Sequence, residues 1–514
     1  MKKSMLLTLV IAASMTAAAM GTVNVSANAE NSTLTIAIAG EMLSLDPGVA
    51  TGSTSYNPRL QIFDRLVNLN SDGTISEGLA ESWEFSEDGK DITFNLRQGV
   101  TFHDGSDFTA EDVKRTFDRM LNAEYGSTRQ NDIMPLEEVE IVDDYTVVFH
   151  LSSASGNFLN KIGVDTGDIL SSDDIDAYGE DLATYANGTG PYKCEEFVVG
   201  ESVTLSANED YWDGAPAIQT VVMKTVSEAS TRVNMLLSGE AEFIEDVSTA
   251  DIDTINANEN TYVRTDETNR VFHIGMNVTM EGLDDVRVRQ AINYAIDRET
   301  LVEAVIGDAG EVCNTVIAEN VYGWTEGQYT YDPEKAKELI AEAGAEGLHI
   351  ELWTPEGHYY HDKETALVFA NMLKEVGLDC EVKICDWSTM LSDLRVTQEE
   401  GNANQMWLFG WESATCEGAY TMRLFSSSTM PPNGWNTMFY QNDRVDELYT
   451  LANTTADDEE RLAYLNEAYQ LIDDDAVWCP LYTKNMINAQ VSNLEGVVID
   501  SIEMLHLKDA HYTE

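Results

Sequence analysis

The chain has 514 residues, with 90 Asp and Glu against 30 Lys and Arg, and a formal net charge of −60. Such an excess of acid excludes a phosphate-binding groove for nucleic acid and docking on an anionic membrane, because both rest on clustered bases. Hydrophobic residues are 43% and aromatics 9%, a globular composition, and the length fits roughly two to four domains at about 150 residues each.

Lys2 and Lys3 precede an apolar stretch, Met5 to Met20, and Ala27-Asn28-Ala29 supplies a small-x-small site. This pattern predicts a cleaved export signal over residues 1–29, with the mature chain starting near Glu30. The stretch is shorter than the roughly 20 residues of a membrane-spanning helix. Losing it removes two lysines and no acid, so −60 becomes −62. No cysteine precedes Cys194, so none near the cleavage site could carry a lipid.

Thr35 to Ala39 reads as a short apolar strand. Asn68, Asn70, Asp72 and Gly73 match the start of a calcium loop, but its twelfth position is Leu79, where a bidentate Glu is needed. A turn is the better reading. Ile92, Phe94 and Leu96 alternate with polar residues, which predicts a half-buried strand. Thr109 is a fair N-cap with Asp112 at the third helical position, and Val113, Thr116, Phe117 and Met120 follow at helical spacing. Gly188-Thr189-Gly190-Pro191 reads as a turn.

The C-terminal half reads as α/β. Asp332-Pro333 opens a helix that Gly344 closes. Strands are expected over 348–353 and 378–384 around a helix over 364–376, a β-α-β order that predicts a parallel pair. A further strand, 405–409, runs into Gly410-Trp411. Ligands bind beyond the carboxyl ends of such strands, which puts the loop Trp411 to Tyr420 at a ligand crevice.

No G-x-S-x-G, H-E-x-x-H, Walker loop or G-x-G-x-x-G occurs. His358 and His361 stand three apart, a spacing that could hold a metal. The six cysteines include no C-x-x-C, so a zinc site is not expected. Cys380 and Cys385 fall on opposite faces of a predicted strand and should not pair with each other.

Several ordered stretches together resemble the family 5 extracellular solute-binding proteins of ABC importers. They are GLAESWEFSEDGKDITFNLRQGVTFHDGSDFTAEDVKRTFDRM (78–120), GTGPY (188–192), NEDYWDGAP (208–216), DVRVRQAINYAIDR (285–298), YQNDRVD (440–446) and CPLY (479–482). The resemblance covers 34–490 and is nearest the glutathione-binding branch. It implies an α/β, two-lobed, periplasmic-binding-protein-like fold (type II, cluster C) with an extra domain inserted in lobe I. Lobe I would comprise 30–63, 185–278 and 483–514, the inserted domain 64–184, and lobe III 279–482. The lobes would be joined near Met276-Asn277-Val278 and Leu481-Tyr482-Thr483.

The resemblance also implies the ligand contacts. The peptide-binding branch holds an α-amine with an aspartate shortly after a Gly-Trp pair, and here that position is Ala414. Glu412 or Glu417 could replace it. Trp411 and Thr415 belong to the same loop, Thr51 and Ser53 to the first ligand-contacting loop. Arg129 would suit a ligand carboxylate. The implied function is an exported, non-enzymatic receptor. It would pass a short peptide or glutathione-like ligand to an ABC permease, as a monomer without cofactor, resident metal or nucleic-acid partner. The alternative is a receptor for nickel or a metal chelate, with His361 or His358 as ligand. An exported hydrolase has no motif behind it.

Overall fold

The computed structural model describes residues 33–49, 53–71, 73–122 and 127–513. The proposed signal segment 1–29 and Thr51 lie outside these residues, as does the side chain of Ser53.

One eleven-stranded mixed sheet runs through the molecule. Its middle is an antiparallel ladder of two long strands, Thr261–Met276 and Trp478–Val491, pairing from Thr261 beside Val491 to Gly275 beside Trp478. One end of the ladder carries the first lobe. There Phe243–Ile244 pairs with Gln490 and Ala489, then Thr33–Ile38 with the parallel strand Thr220–Thr225, then Ser202–Ala207 and Tyr192–Val198. The other end carries the second lobe. There Val271–Met276 pairs with Met406–Trp411, followed by the parallel strands His349–Pro355 and Asp379–Cys385.

The changeover falls where the pairing slips, between Glu267 and Val271. The chain therefore passes between lobes near Thr268–Arg270 and again near Thr483–Asn485. The first passage lies N-terminal to Met276–Val278, because pairing with Met406–Trp411 assigns Val271–Met276 to the second lobe.

Local signals explain the elements. Asp332 caps the helix Pro333–Ala343 by accepting from the Lys335 N–H at 2.9 Å, and Gly344 ends it at φ 69°. Met406–Trp411 (MWLFGW) is apolar throughout because it is paired on both edges and covered on its faces. Its Leu408 packs in one core with Ile350, Leu352, Phe369 and Leu373, all buried.

A separate four-stranded antiparallel sheet contains Ala80–Phe85, Asp91–Leu96, Thr146–Leu151 and Leu136–Asp143. The helix Ala110–Leu121 lies on it, its Phe117 ring meeting Phe149 of the sheet edge to face at 4.8 Å, and Phe149 meeting Phe94 at 5.0 Å. Asp112 Oδ2 accepts the Thr109 N–H at 2.8 Å, a capping box with Asp in place of the usual Glu. The same helix ties this domain to the first lobe. Arg119 makes a bidentate pair with Asp46 at 2.7 and 2.6 Å, both side chains buried. Gly48 is required beside it, since a Cβ there would lie 2.3 Å from Arg119 Nη1.

The calcium-like stretch is a hairpin turn between Val67–Leu69 and Ile75–Glu77, closed by the Asn70 N–H to the Thr74 carbonyl at 2.9 Å. Gly73 there stands against the second lobe: a Cβ would approach the Cys416 carbonyl to 2.9 Å. Asn160 Nδ2 donates to the Thr415 carbonyl at 3.3 Å, and Asn157 meets Asn453 at 3.3 Å. The extra domain thus touches the lobe across the cleft. All six cysteines are unpaired; Cys313, Cys380, Cys416 and Cys479 are buried, Cys194 and Cys385 half-buried.

Candidate ligand-binding site

A cavity of about 390 Å³ lies where the three parts meet. The first lobe contributes Tyr56 and Leu60 from the helix Tyr56–Ile62, and Ile502 and Met504 from the C-terminal segment. The extra domain contributes Arg65, Leu69, Arg129, Asp132, Lys161 and Asp165. The second lobe contributes Glu412, Ala414, Thr415, Tyr420 and Arg423, from the turn after the strand Met406–Trp411 and the short helix that follows. A strand end and a helix start expose both backbone and side chains at this turn, as expected of an α/β crevice.

Of the residues expected to contact a ligand, Glu412, Thr415 and Arg129 reach this cavity. Glu412 is paired with Arg270 at 2.5 Å. Desolvation pushes its carboxyl above the usual carboxylate range, against the pull of Arg270. Arg270 also holds Glu503 at 3.0 Å, as does Lys484 at 3.0 Å. Glu503 is half-buried, yet those two cations hold its carboxyl below the usual carboxylate range. Arg270 and Lys484 sit on the two strands where the chain passes between lobes, so this cluster joins Glu412 of the second lobe to Glu503 of the first.

Arg129 is not available as a lone cation. It is buried and pairs with Asp165, with Asp132 at 3.1 Å, and with the Thr166 hydroxyl at 2.6 Å. Asp165 also takes Arg59 at 2.7 Å. Glu417 lies behind the wall, fully buried, paired with Arg461 at 3.2 Å. It caps the helix Gly418–Met422 by accepting from the Ala419 N–H at 2.8 Å. Its part is to fix the turn rather than to face the cavity.

Trp411 also lies behind the wall. Its ring lines a small pocket of about 20 Å³ with His273, Trp407, Phe409, Trp435 and Trp478, among others. Tyr420 stacks on it at 6.0 Å and takes the place on the cavity wall. The Arg423 guanidinium lies 3.9 Å from the Tyr420 ring and 5.3 Å from Trp411. His361 is remote from the cavity: it starts the helix Asp362–Glu375 at φ 50°, 3.7 Å from Glu364. His358 stacks on Trp387 at 3.8 Å.

Tyr56, Lys161 and Arg423 were not expected at the site, whereas Tyr420 ends the loop that the sequence places at the crevice. Arg423 follows that loop closely enough that its length could have named it. Lys161 sits in a five-residue helix, Phe158–Ile162, with no motif around it.

The family model for bacterial extracellular solute-binding proteins, family 5, middle part, matches residues 74–432. This chain belongs to that family. The glutathione-binding protein GsiB of Salmonella typhi is 30% identical over 466 residues, which is 90% of this chain and 91% of that protein. The Escherichia coli K12 protein of the same name is 29% identical over the same shares. Among solved structures, the ABC transporter substrate-binding protein CtaP of Listeria monocytogenes superposes with a TM-score of 0.85 at 25% identity, covering 94% of this chain and 99% of that one. The periplasmic binding protein DppA of Helicobacter pylori, in complex with the peptide STSA, gives 0.73 at 25% identity over 93% and 98%. The two-lobed fold expected from the sequence is the fold of this family member. Among the described residues no helix is long and apolar enough to cross a membrane.

Proposed function

We propose that this family 5 protein is the exported receptor of an ABC importer and carries short peptides to the membrane permease. The observation behind this is the cavity between the lobes, whose roughly 390 Å³ falls within the range of small-ligand sites. The names of the glutathione- and peptide-binding relatives favour a peptide. Chain divisions of 30–63 with about 185–270 and 483–514, 64–184, and about 271–482 go with this reading. Ligand entry would bring the lobes together about the two strands that join them. The receptor would act as a monomer and leave its ligand chemically unchanged.

Isothermal titration with glutathione and a library of di- to tetrapeptides tests the proposal. Saturable one-to-one binding of at least one member is expected; no heat from any of them defeats it.

A further inference from the structure

The charges on the cavity wall divide unevenly. Its four acids are Asp132, Asp165, Glu412 and Asp500. Each already has a cationic or N–H partner. Asp132 and Asp165 hold Arg129, Asp165 also holds Arg59, and Glu412 holds Arg270. Asp500 is bonded to His506 at 2.8 Å and accepts the Ile502 and Met504 N–H groups at 3.1 and 2.8 Å.

Among the wall's Arg and Lys, Arg65 and Arg129 are spent on Asp168 and Asp165. Arg423 and Lys161 are not ion-paired among the described residues. Arg423 rests on the Tyr420 and Trp411 rings, and its Nε is buried without a partner. Lys161 gives one hydrogen bond, to the Met134 carbonyl at 2.6 Å, and has two N–H donors left. In a chain with three acids per base, two such cations on one wall are a marked imbalance.

We infer that Arg423 and Lys161 form a carboxylate-binding subsite, and that the cavity selects anionic ligands without anchoring a free α-ammonium. An anion between the two cations relieves their mutual repulsion and supplies the missing acceptors. Burial and the neighbouring Arg423 already pull the Lys161 ammonium down to about 8, despite the Glu417 charge beyond it. A ligand ammonium would meet carboxylates already neutralised by cations or engaged with N–H donors, which attract it less than the unpaired Arg423 and Lys161 attract an anion. The planar, always-charged Arg423 supplies geometry, and Lys161 a second point of charge.

This assignment rests on the receptor function proposed above but is tested separately from it. The probes are Ala-Ala-Ala, its N-acetyl form, its C-terminal amide, glutathione and N-acetylglutamate, titrated into the full mature chain. N-acetylation should change affinity less than about threefold, whereas amidation should weaken it by about ten- to a hundredfold. Arg423→Gln and Lys161→Gln should each remove most of the acid-over-amide preference. Unchanged melting and near-ultraviolet circular dichroism would show that the variants fold. Peptides that bind only with a free amine, or equally well as amides, overturn the assignment and leave the receptor function standing. Binding of N-acetylglutamate alone, lost in Arg423→Gln, upholds the assignment and defeats the peptide reading. No binding from any probe defeats the assignment, and the receptor reading falls with it only if the di- to tetrapeptide library gives no heat either.

Discussion

Arg270 and Glu412 pair at 2.5 Å at the point where the chain passes between the lobes. Arg270 belongs to the long strand that slips register there, Glu412 to the turn forming the cavity wall. Replacing Arg270 by Gln would strand Glu412 and leave Glu503 with Lys484 alone. Replacing Glu412 by Gln leaves Arg270 still paired with Glu503. Arg270→Gln should therefore destabilise by roughly 1–3 kcal/mol and Glu412→Gln by less. Urea midpoints of the two variants check the order; equal losses would contradict it.

The buried Asp46–Arg119 pair should behave as one unit. Asp46→Ala leaves a buried guanidinium and should cost about 3 kcal/mol or more. The Asp46→Ala/Arg119→Met double variant should lose clearly less than the two single losses summed, because no lone charge remains. A double-mutant cycle by urea denaturation measures the coupling.

Acid should destabilise the chain in part through His273. This imidazole is buried, stacked on Trp478 at 3.4 Å, and burial pushes it down to about 3. Its folded value is below the unfolded one of about 6.5, so the unfolded chain binds more protons between them and stability falls as pH falls through that window. Between about pH 7 and about pH 4.5 the loss should be roughly 2–3 kcal/mol. His273→Gln should flatten that part of the stability curve.

Binding of a carboxylate ligand should also depend on pH, through Lys161. The groups around it are Glu417, Arg423 and Asp132. The bound anion favours the ammonium form, so affinity should hold below pH 8 and fall as pH rises above about 8. Titration across that range, repeated with Lys161→Gln, should show the dependence vanish in the variant.

Global and local charge should act in opposite directions on the same ligand. The net charge of −60 repels an arriving anion, while the two cavity cations hold it once inside. Added salt screens the long-range repulsion over about 8–10 Å. The association rate of an anionic ligand should therefore rise with salt, and stopped-flow tryptophan fluorescence would read it.

Much of the fold was legible because it rests on local signals. Asp332-Pro333 and Gly344 bounded their helix, Thr109 and Asp112 theirs, and alternation marked the 91–96 strand. The site was less legible. Trp411 and Glu417 stand in the right turn but face inward, and sequence spacing does not reveal which way a turn residue points. Arg129 stands on the cavity wall, yet Asp165, 36 residues away, takes up its charge. Lys161 and Arg423 are 262 positions apart and come together only through the contact between the extra domain and the second lobe.

The six unpaired thiols give the chain an internal clock. Burial holds Cys194, Cys416 and Cys479 at about 11 and Cys380 at about 12, so the folded protein offers almost no thiolate to an alkylating reagent at neutral pH. Cys416 sits in the cavity-wall turn and Cys479 in the ladder joining the lobes. Their rates of modification, read by mass spectrometry, would time the loosening of the binding turn against that of the frame without any added label.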